Sequence, residues 1–216
     1  MPEPVSSDPM LPRILSPEWA VILVVDVQND FCHENGVMGR LGFEMGPIQS
    51  SVRMLDRFIE AGRRAKVPIV FIATQHSEWT NSQAWLTRGP RRGGEICAVG
   101  TWGADFYGIN LACGDAVVVK HRYSGFVGTD LDTVLHTRER RSVLVTGVST
   151  NVCVESTVRD ACMHDYHAVL VDDCCGAMTH AEHEAALHNV GSYFGRVLDS
   201  KTIMDYWQTL REATVH

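Results

Sequence analysis

The sequence predicts an α/β protein: a single doubly wound domain whose six-stranded parallel sheet is flanked by helices. Three observations carry this. Short apolar, β-branched runs of strand length recur along the 216 residues. Stretches with helical apolar spacing lie between most of them. The series continues without an internal repeat, a low-complexity tract or a linker. Strands alternating with helices form βαβ units, with parallel strands and right-handed crossovers. A chain of this length fits one domain. At 45% hydrophobic and 21% charged residues, it can fill a sizeable core.

Ala20-Val-Ile-Leu-Val-Val-Asp26 is apolar until its terminal carboxylate, the pattern of a strand covered on both faces. A polar, Gly-containing loop follows to about Gly46. Ile48, Val52, Leu55 and Ile59 are spaced by four, three and four, which draws one apolar stripe along a helix. Pro68 opens the second strand, Ile69 to Thr74. Residues 75–114 lack strong periodicity, and long loops in compact domains are usually lids or binding segments. This one carries Trp79, Trp85 and Trp102. Ala116 to Lys120 is the third strand. Thr129 or Asp130 is placed to cap a short helix through Leu131, Val134 and Leu135. Ser142 to Thr146 is the fourth strand, ending at Gly147. Asn151 to Asp165 reads as a helix with Val154, Val158, Ala161 and Cys162 on one side. His167 to Asp172 is the fifth strand, followed by a helix from Thr179 or His180 to Val190. Arg196 to Asp199 is a short sixth strand, and Ser200 is a plausible N-cap for a final helix to about Leu210. The Pro-rich start has neither a basic opening nor an apolar signal core. Residues 1–16 are therefore expected to be a leader without a targeting role, and residues 17–216 the folded domain.

Composition excludes several classes. Lys plus Arg is 19 and Asp plus Glu is 26, a net charge of −7. An acidic chain without a basic stripe is poorly suited to nucleic acid, which needs cations on phosphates. The longest apolar runs, Ala20–Val25 and Ala116–Val119, are far too short to span a membrane. The seven cysteines are odd in number and show no Cys-x-x-Cys pair. That argues against a disulfide framework and against structural zinc, and for a reduced, cytoplasmic setting. Cys162 and the vicinal pair Cys174–Cys175 read as small core residues.

Three reactive residues occupy equivalent places in three units. Asp26 ends the first strand and Lys120 ends the third. Cys153 follows the fourth strand, just past the turn Gly147-Val-Ser-Thr-Asn151. In an open α/β sheet, ligands bind outside the carboxyl ends of the strands, so all three converge on one crevice. A thiol is nucleophilic as thiolate, which a helix start and a neighbouring ammonium favour, while a carboxylate can take the proton. Backbone N–H groups of Ser149 and Cys153 are placed to hold an oxyanion.

Asp26-Val-Gln-Asn-Asp-Phe31, the Lys120 strand end, and Gly147-Val-Ser-Thr-Asn-Val-Cys153-Val-Glu-Ser-Thr-Val-Arg-Asp-Ala161 resemble the isochorismatase-like cysteine hydrolases. The resemblance runs from about Pro17 to Trp207. It implies a six-stranded parallel sheet and a Cys–Asp–Lys triad, with Cys153 as nucleophile, Asp26 as general base and Lys120 as its electrostatic partner. It also implies a cis peptide at Val148–Ser149 beside the oxyanion hole. Nicotinamidases of this family carry a metal-binding Asp-x-His pair after the second strand. Here that place reads Thr74-Gln-His-Ser-Glu-Trp79, where His76 and Glu78 are a poor substitute, so neither metal nor cofactor is expected. Lys120-His-Arg-Tyr-Ser-Gly-Phe126 and Asn151-Val-Cys-Val-Glu-Ser-Thr157 are most similar to ureidoacrylate amidohydrolase and to biuret and triuret hydrolases.

The expectation is thus a cysteine amidohydrolase that cleaves a C–N bond of a small ureido or carbamoyl amide through a thioester. Asn29, Phe31 and Tyr123 are the expected substrate-binding residues, with Gln28 either beside them or holding the loop backbone. A loop tryptophan closes the pocket. A nicotinamidase, or another ring-amide hydrolase, is the second enzyme reading. A non-catalytic binding or scaffold subunit is the third, and it has no need of the triad. A homo-oligomer, dimer or tetramer, is expected, with no nucleic acid or membrane partner.

Overall fold

The structure, a computed structural model, describes residues 8–88 and 95–214. The first seven residues of the expected leader and residues 89–94 of the long loop lie outside the described residues.

Among these residues one sheet has six parallel strands: β1 Ala20–Val25, β2 Ile69–Thr74, β3 Ala116–Lys120, β4 Ser142–Val148, β5 His167–Gly176 and β6 Arg196–Leu198. Their order is β3-β2-β1-β4-β5-β6. The chain winds outward from β1 to β3, then returns to the far side of β1 with β4. The carboxyl ends of β1 and β4 therefore part at a topological switch point, where such sheets form their crevice.

Alternation along each strand feeds two cores. Ile22, Val24, Phe71, Leu144 and Val169 face one side. There α4 (Gly46–Arg64) contributes Ile48, Val52, Leu55 and Ile59, and α9 (Ser200–Thr214) contributes Ile203 and Trp207. Val21, Leu23, Val25, Ile72, Val145 and Leu170 face the other. Against them pack α6 (Leu131–Thr137) through Leu131 and Leu135, and α7 (Glu155–Met163) through Val158 and Ala161. Coverage on both faces is why the inner strands read as unbroken apolar runs.

Four single-turn or short helices lie outside this layering: α1 Leu11–Ile14, α2 Asn29–Cys32, α3 Val37–Arg40 and α5 Gln83–Thr87. The first corrects the domain boundary. Leu11, Ile14 and Leu15 are buried in the α4–α9 core. Ser142 Oγ donates to the Ile14 carbonyl at 2.5 Å, and Trp207 Nε1 donates to that of Leu15 at 2.8 Å. The folded unit thus includes the last part of the expected leader.

β5 extends to Gly176, past the expected end at Asp172. Cys175 and Gly176 pair with Gly147 and Val148 after a register irregularity between Val145 and Gly147. The helix expected from Asn151 opens instead as a π-helical turn, Thr150–Val154, before α7 begins. α8 (His180–Asn189) starts on Thr179, whose hydroxyl accepts the Glu182 N–H at 3.2 Å. Asp199, rather than Ser200, caps α9, accepting the Thr202 N–H at 2.7 Å.

Candidate active site

The site grows from strand ends. Asp26 follows β1 with φ of 53°, in the left-handed region, and its side chain is fully buried. Thr74 ends β2 and pairs in register with Lys120, the last residue of β3. Lys120 Nζ lies 2.7 Å from Asp26 Oδ2, with both side chains out of solvent. It also donates to Thr74 Oγ1 at 2.7 Å and to the Arg122 carbonyl at 3.0 Å. Thr74 Oγ1 in turn donates to Asp26 Oδ1 at 2.9 Å. Asp26 Oδ2 accepts no aligned hydrogen bond, so it keeps lone-pair capacity for another proton.

Cys153 sits in the π-helical turn after β4, buried, with its thiol in hydrogen-bonding reach of Asp26 and Lys120. Burial pushes its pKa well above the usual range, the Asp26 charge pushes the same way, and Lys120 recovers only part. The helix start does not yield a resting thiolate: the thiol is neutral until a base takes its proton. For Lys120, burial favours loss of the proton, but Asp26 and Cys153 outweigh it, raising the pKa and keeping the ammonium charged.

A cavity of about 130 Å³ opens over Cys153. Phe31, Tyr123, Trp85 and Ser149 are among the residues that line it. The Val148–Ser149 peptide is cis. Of the three loop tryptophans, Trp85 is buried and lines the cavity, while Trp79 is 90% and Trp102 48% exposed. Asn29 departs from expectation: its side chain is buried outside the cavity lining and donates to the Trp102 carbonyl at 2.8 Å. It holds the loop. Gln28 does likewise, donating to the Thr74 and Ala104 carbonyls at 2.9 and 2.7 Å and accepting the Thr74 N–H at 2.8 Å.

His76 lines the cavity, but Glu78 is exposed to solvent. Burial, then the Lys120 and Arg88 charges, pull the His76 pKa from the usual 6.5 to about 4, so the ring is neutral near pH 7. Among the described residues, no group of three or more His, Cys, Asp and Glu side chains is arranged to hold a metal ion. Nor is any described helix long and apolar enough to cross a membrane.

Three features escaped the sequence reading. Thr74 links the ammonium to the carboxylate. Its signal was its place at a strand end, like Asp26 and Lys120. Arg88 and Arg122 line the cavity, their guanidinium carbons 3.5 and 4.8 Å from the centroid of the Trp85 ring. Neither has a carboxylate partner among the described residues. They sit in the aperiodic loop and just after β3, where no pattern marks them.

A buried thiol beside a carboxylate–ammonium pair, at the switch point of a doubly wound sheet, is equipped for nucleophilic attack on a small carbonyl compound. The chain belongs to the isochorismatase family of hydrolases: residues 20–202 match the family model described as the Isochorismatase domain. The ureidoacrylate amidohydrolase RutB of Variovorax paradoxus is 32% identical over 219 residues, covering 94% of this chain and 86% of its own. Among solved structures, a cysteine hydrolase from Pseudomonas syringae pv. phaseolicola shares the fold with a TM-score of 0.81 at 24% identity, covering 90% of this chain and 94% of that one. N-carbamoylsarcosine amidase from Thermoplasma acidophilum gives 0.70 at 25% identity, covering 84% and 96% respectively.

Proposed function

We propose that the protein is a cysteine amidohydrolase of small ureido or carbamoyl amides. The observation that carries this is the buried Cys153 thiol set against the Asp26–Lys120 pair under a small aromatic cavity. Asp26 takes the thiol proton as Sγ attacks the carbonyl carbon. Backbone N–H groups of Ser149 and Cys153 hold the oxyanion. On collapse the C–N bond breaks, and Asp26 returns the proton to the departing ammonia or amine. Water then attacks the thioester, giving its proton to Asp26. The acid is released as Cys153 leaves and recovers that proton. Lys120, 2.7 Å from Asp26 Oδ2, pairs with the carboxylate and balances the transient thiolate.

The relatives' names support ureido chemistry. The cavity supports a small substrate, being below the roughly 300–1,000 Å³ of drug-sized sites. Two arginines on one indole, with no acidic partner among the described residues, repel each other and favour a substrate that brings a carboxylate. The test compares kcat/KM for 3-ureidoacrylate, biuret and nicotinamide. The expected order is 3-ureidoacrylate, then biuret, then nicotinamide. Arg88→Met is expected to raise KM for the ureido acid by about tenfold, as befits a lost charged hydrogen bond, and to leave biuret unchanged. Nicotinamide as the better substrate by roughly tenfold or more would transfer the reading to a ring amidase. No ammonia from any of the three would point to a binding subunit.

A further inference from the structure

One group of polar side chains beside the site has no part in the chemistry above. Thr150 Oγ1 lies 2.9 Å from His183 Nδ1, and His183 Nε2 lies 2.8 Å from Asp172 Oδ1. Thr150 is fully buried, the His183 side chain is 16% exposed and that of Asp172 42%. The chain of contacts thus runs from solvent on β5, through α8, to the turn that carries the nucleophile. We propose that Asp172 and His183 are positioning residues that act through Thr150 to fix the Ser149–Cys153 turn and aim its backbone N–H groups at the oxyanion. This rests on the cysteine-amidohydrolase reading.

In the neutral ring, the Asp172 carboxylate sets the direction of each bond. A carboxylate at Nε2 favours the tautomer with its proton there, which leaves Nδ1 as an acceptor. The Thr150 hydroxyl then donates to Nδ1, and its χ1 is fixed. Thr150 directly follows Ser149. The N–H groups of Val152 and Val154 both donate to the Ser149 carbonyl, at 3.1 and 3.2 Å, so the turn moves as a unit. At the other end, the Thr179 cap pins the first turn of α8 one residue before His183. Hydroxyl, imidazole and carboxylate are the groups of a serine-hydrolase triad, but Thr150 does not line the cavity, so it cannot meet a substrate. What the chain can reach is the backbone. Oxyanion donors act only when correctly placed, and small errors of placement are expensive in rate.

Thr150→Val keeps the shape and removes the hydroxyl, Thr150→Ser keeps the hydroxyl, and His183→Leu removes both ring nitrogens. Each is assayed for kcat and KM on the best amide, with thermal melts to confirm folding. Thr150→Val and His183→Leu are expected to lower kcat by about 10–100-fold, with KM changed by less than about twofold, as for residues that orient a reacting group. Thr150→Ser is expected to restore most of kcat. The double variant is expected to be no slower than the worse single one, because both break the same chain. A folded Thr150→Val enzyme with near-normal kcat, a loss confined to KM, or additive losses would overturn the proposal while the amidohydrolase reading stands. If the wild type released no ammonia from any amide, both would fall.

Discussion

Cys153→Ala is expected to abolish ammonia release while the protein remains folded. Cys153 is the one thiol among the described residues that lines the cavity: Cys32, Cys174 and Cys175 are buried in the cores, Cys97 is buried within the long loop with its thiol donating to the Gly103 carbonyl, Cys162 is half-buried on α7, and Cys113 is exposed. With the nucleophile gone, water must attack the amide directly. Losing the nucleophile of a concerted site costs roughly 10⁶-fold in kcat. The structural cost is small, since one sulfur bordering a cavity is removed, on the order of 1 kcal/mol. Cys153→Ser is expected to stay nearly inactive, because a serine hydroxyl is a much weaker acid than the thiol and Asp26 cannot deprotonate it readily. Ammonia assays beside a thermal melt decide the matter. More than about a tenth of wild-type turnover in folded Cys153→Ala would remove the thioester from the mechanism.

Asp26→Asn is expected to lose both activity and stability. The left-handed φ of 53° suits Asn better than most residues, so the backbone is not the source of either loss. The charge is. Removing the carboxylate strands the Lys120 ammonium in a site with no solvent exposure. Breaking one side of such a pair costs about 3–5 kcal/mol, a large share of the roughly 5–15 kcal/mol that keeps a domain folded. Turnover should fall roughly 10²–10⁴-fold or more, since in the proposed mechanism Asp26 moves the proton in every step. Asp26→Asn/Lys120→Met, with both charges removed, should recover most of the lost Tm and none of the activity. An unchanged Tm in Asp26→Asn would mean the two charges are not paired as the 2.7 Å contact shows. Restored turnover in the double variant would dismiss Asp26 as the base.

The sheet and the strand-end residues were legible because apolar runs stop where a reactive side chain begins, and all carboxyl ends of a parallel sheet face one way. Cys153 was legible from its place after β4, beside the turn over residues 147–151, and the resemblance of its surrounding motif added the nucleophile's role; helix spacing alone makes it one more small residue. Other features were hidden for identifiable reasons. β5 was cut short in the reading because Asp172-Asp173 interrupts its apolar run. In the fold those carboxylates are satisfied by His183 and by Ser200, whose N–H and hydroxyl contact Asp173 at 2.8 and 2.7 Å. Leu11, Ile14 and Leu15 show no readable period, because Pro12 and Arg13 separate them and the turn is a single one. Asn29 was placed at the substrate as a neighbour of Phe31. α2 begins at Asn29, and a helical turn sends the two side chains in different directions.

Burial of the nucleophile has a consequence for chemical wear. Peroxide and alkylating reagents attack thiolates, and they attack those they can reach. Cys153 is buried but lines the cavity, so only a reagent small enough to enter there meets it. The exposed thiol is Cys113, on the loop before β3 and absent from the cavity lining. Bulky thiol reagents therefore meet Cys113 first. On the proposed mechanism, Cys153 becomes a thiolate only in the interval when its proton rests on Asp26, and an oxidant inside the cavity would do most harm then.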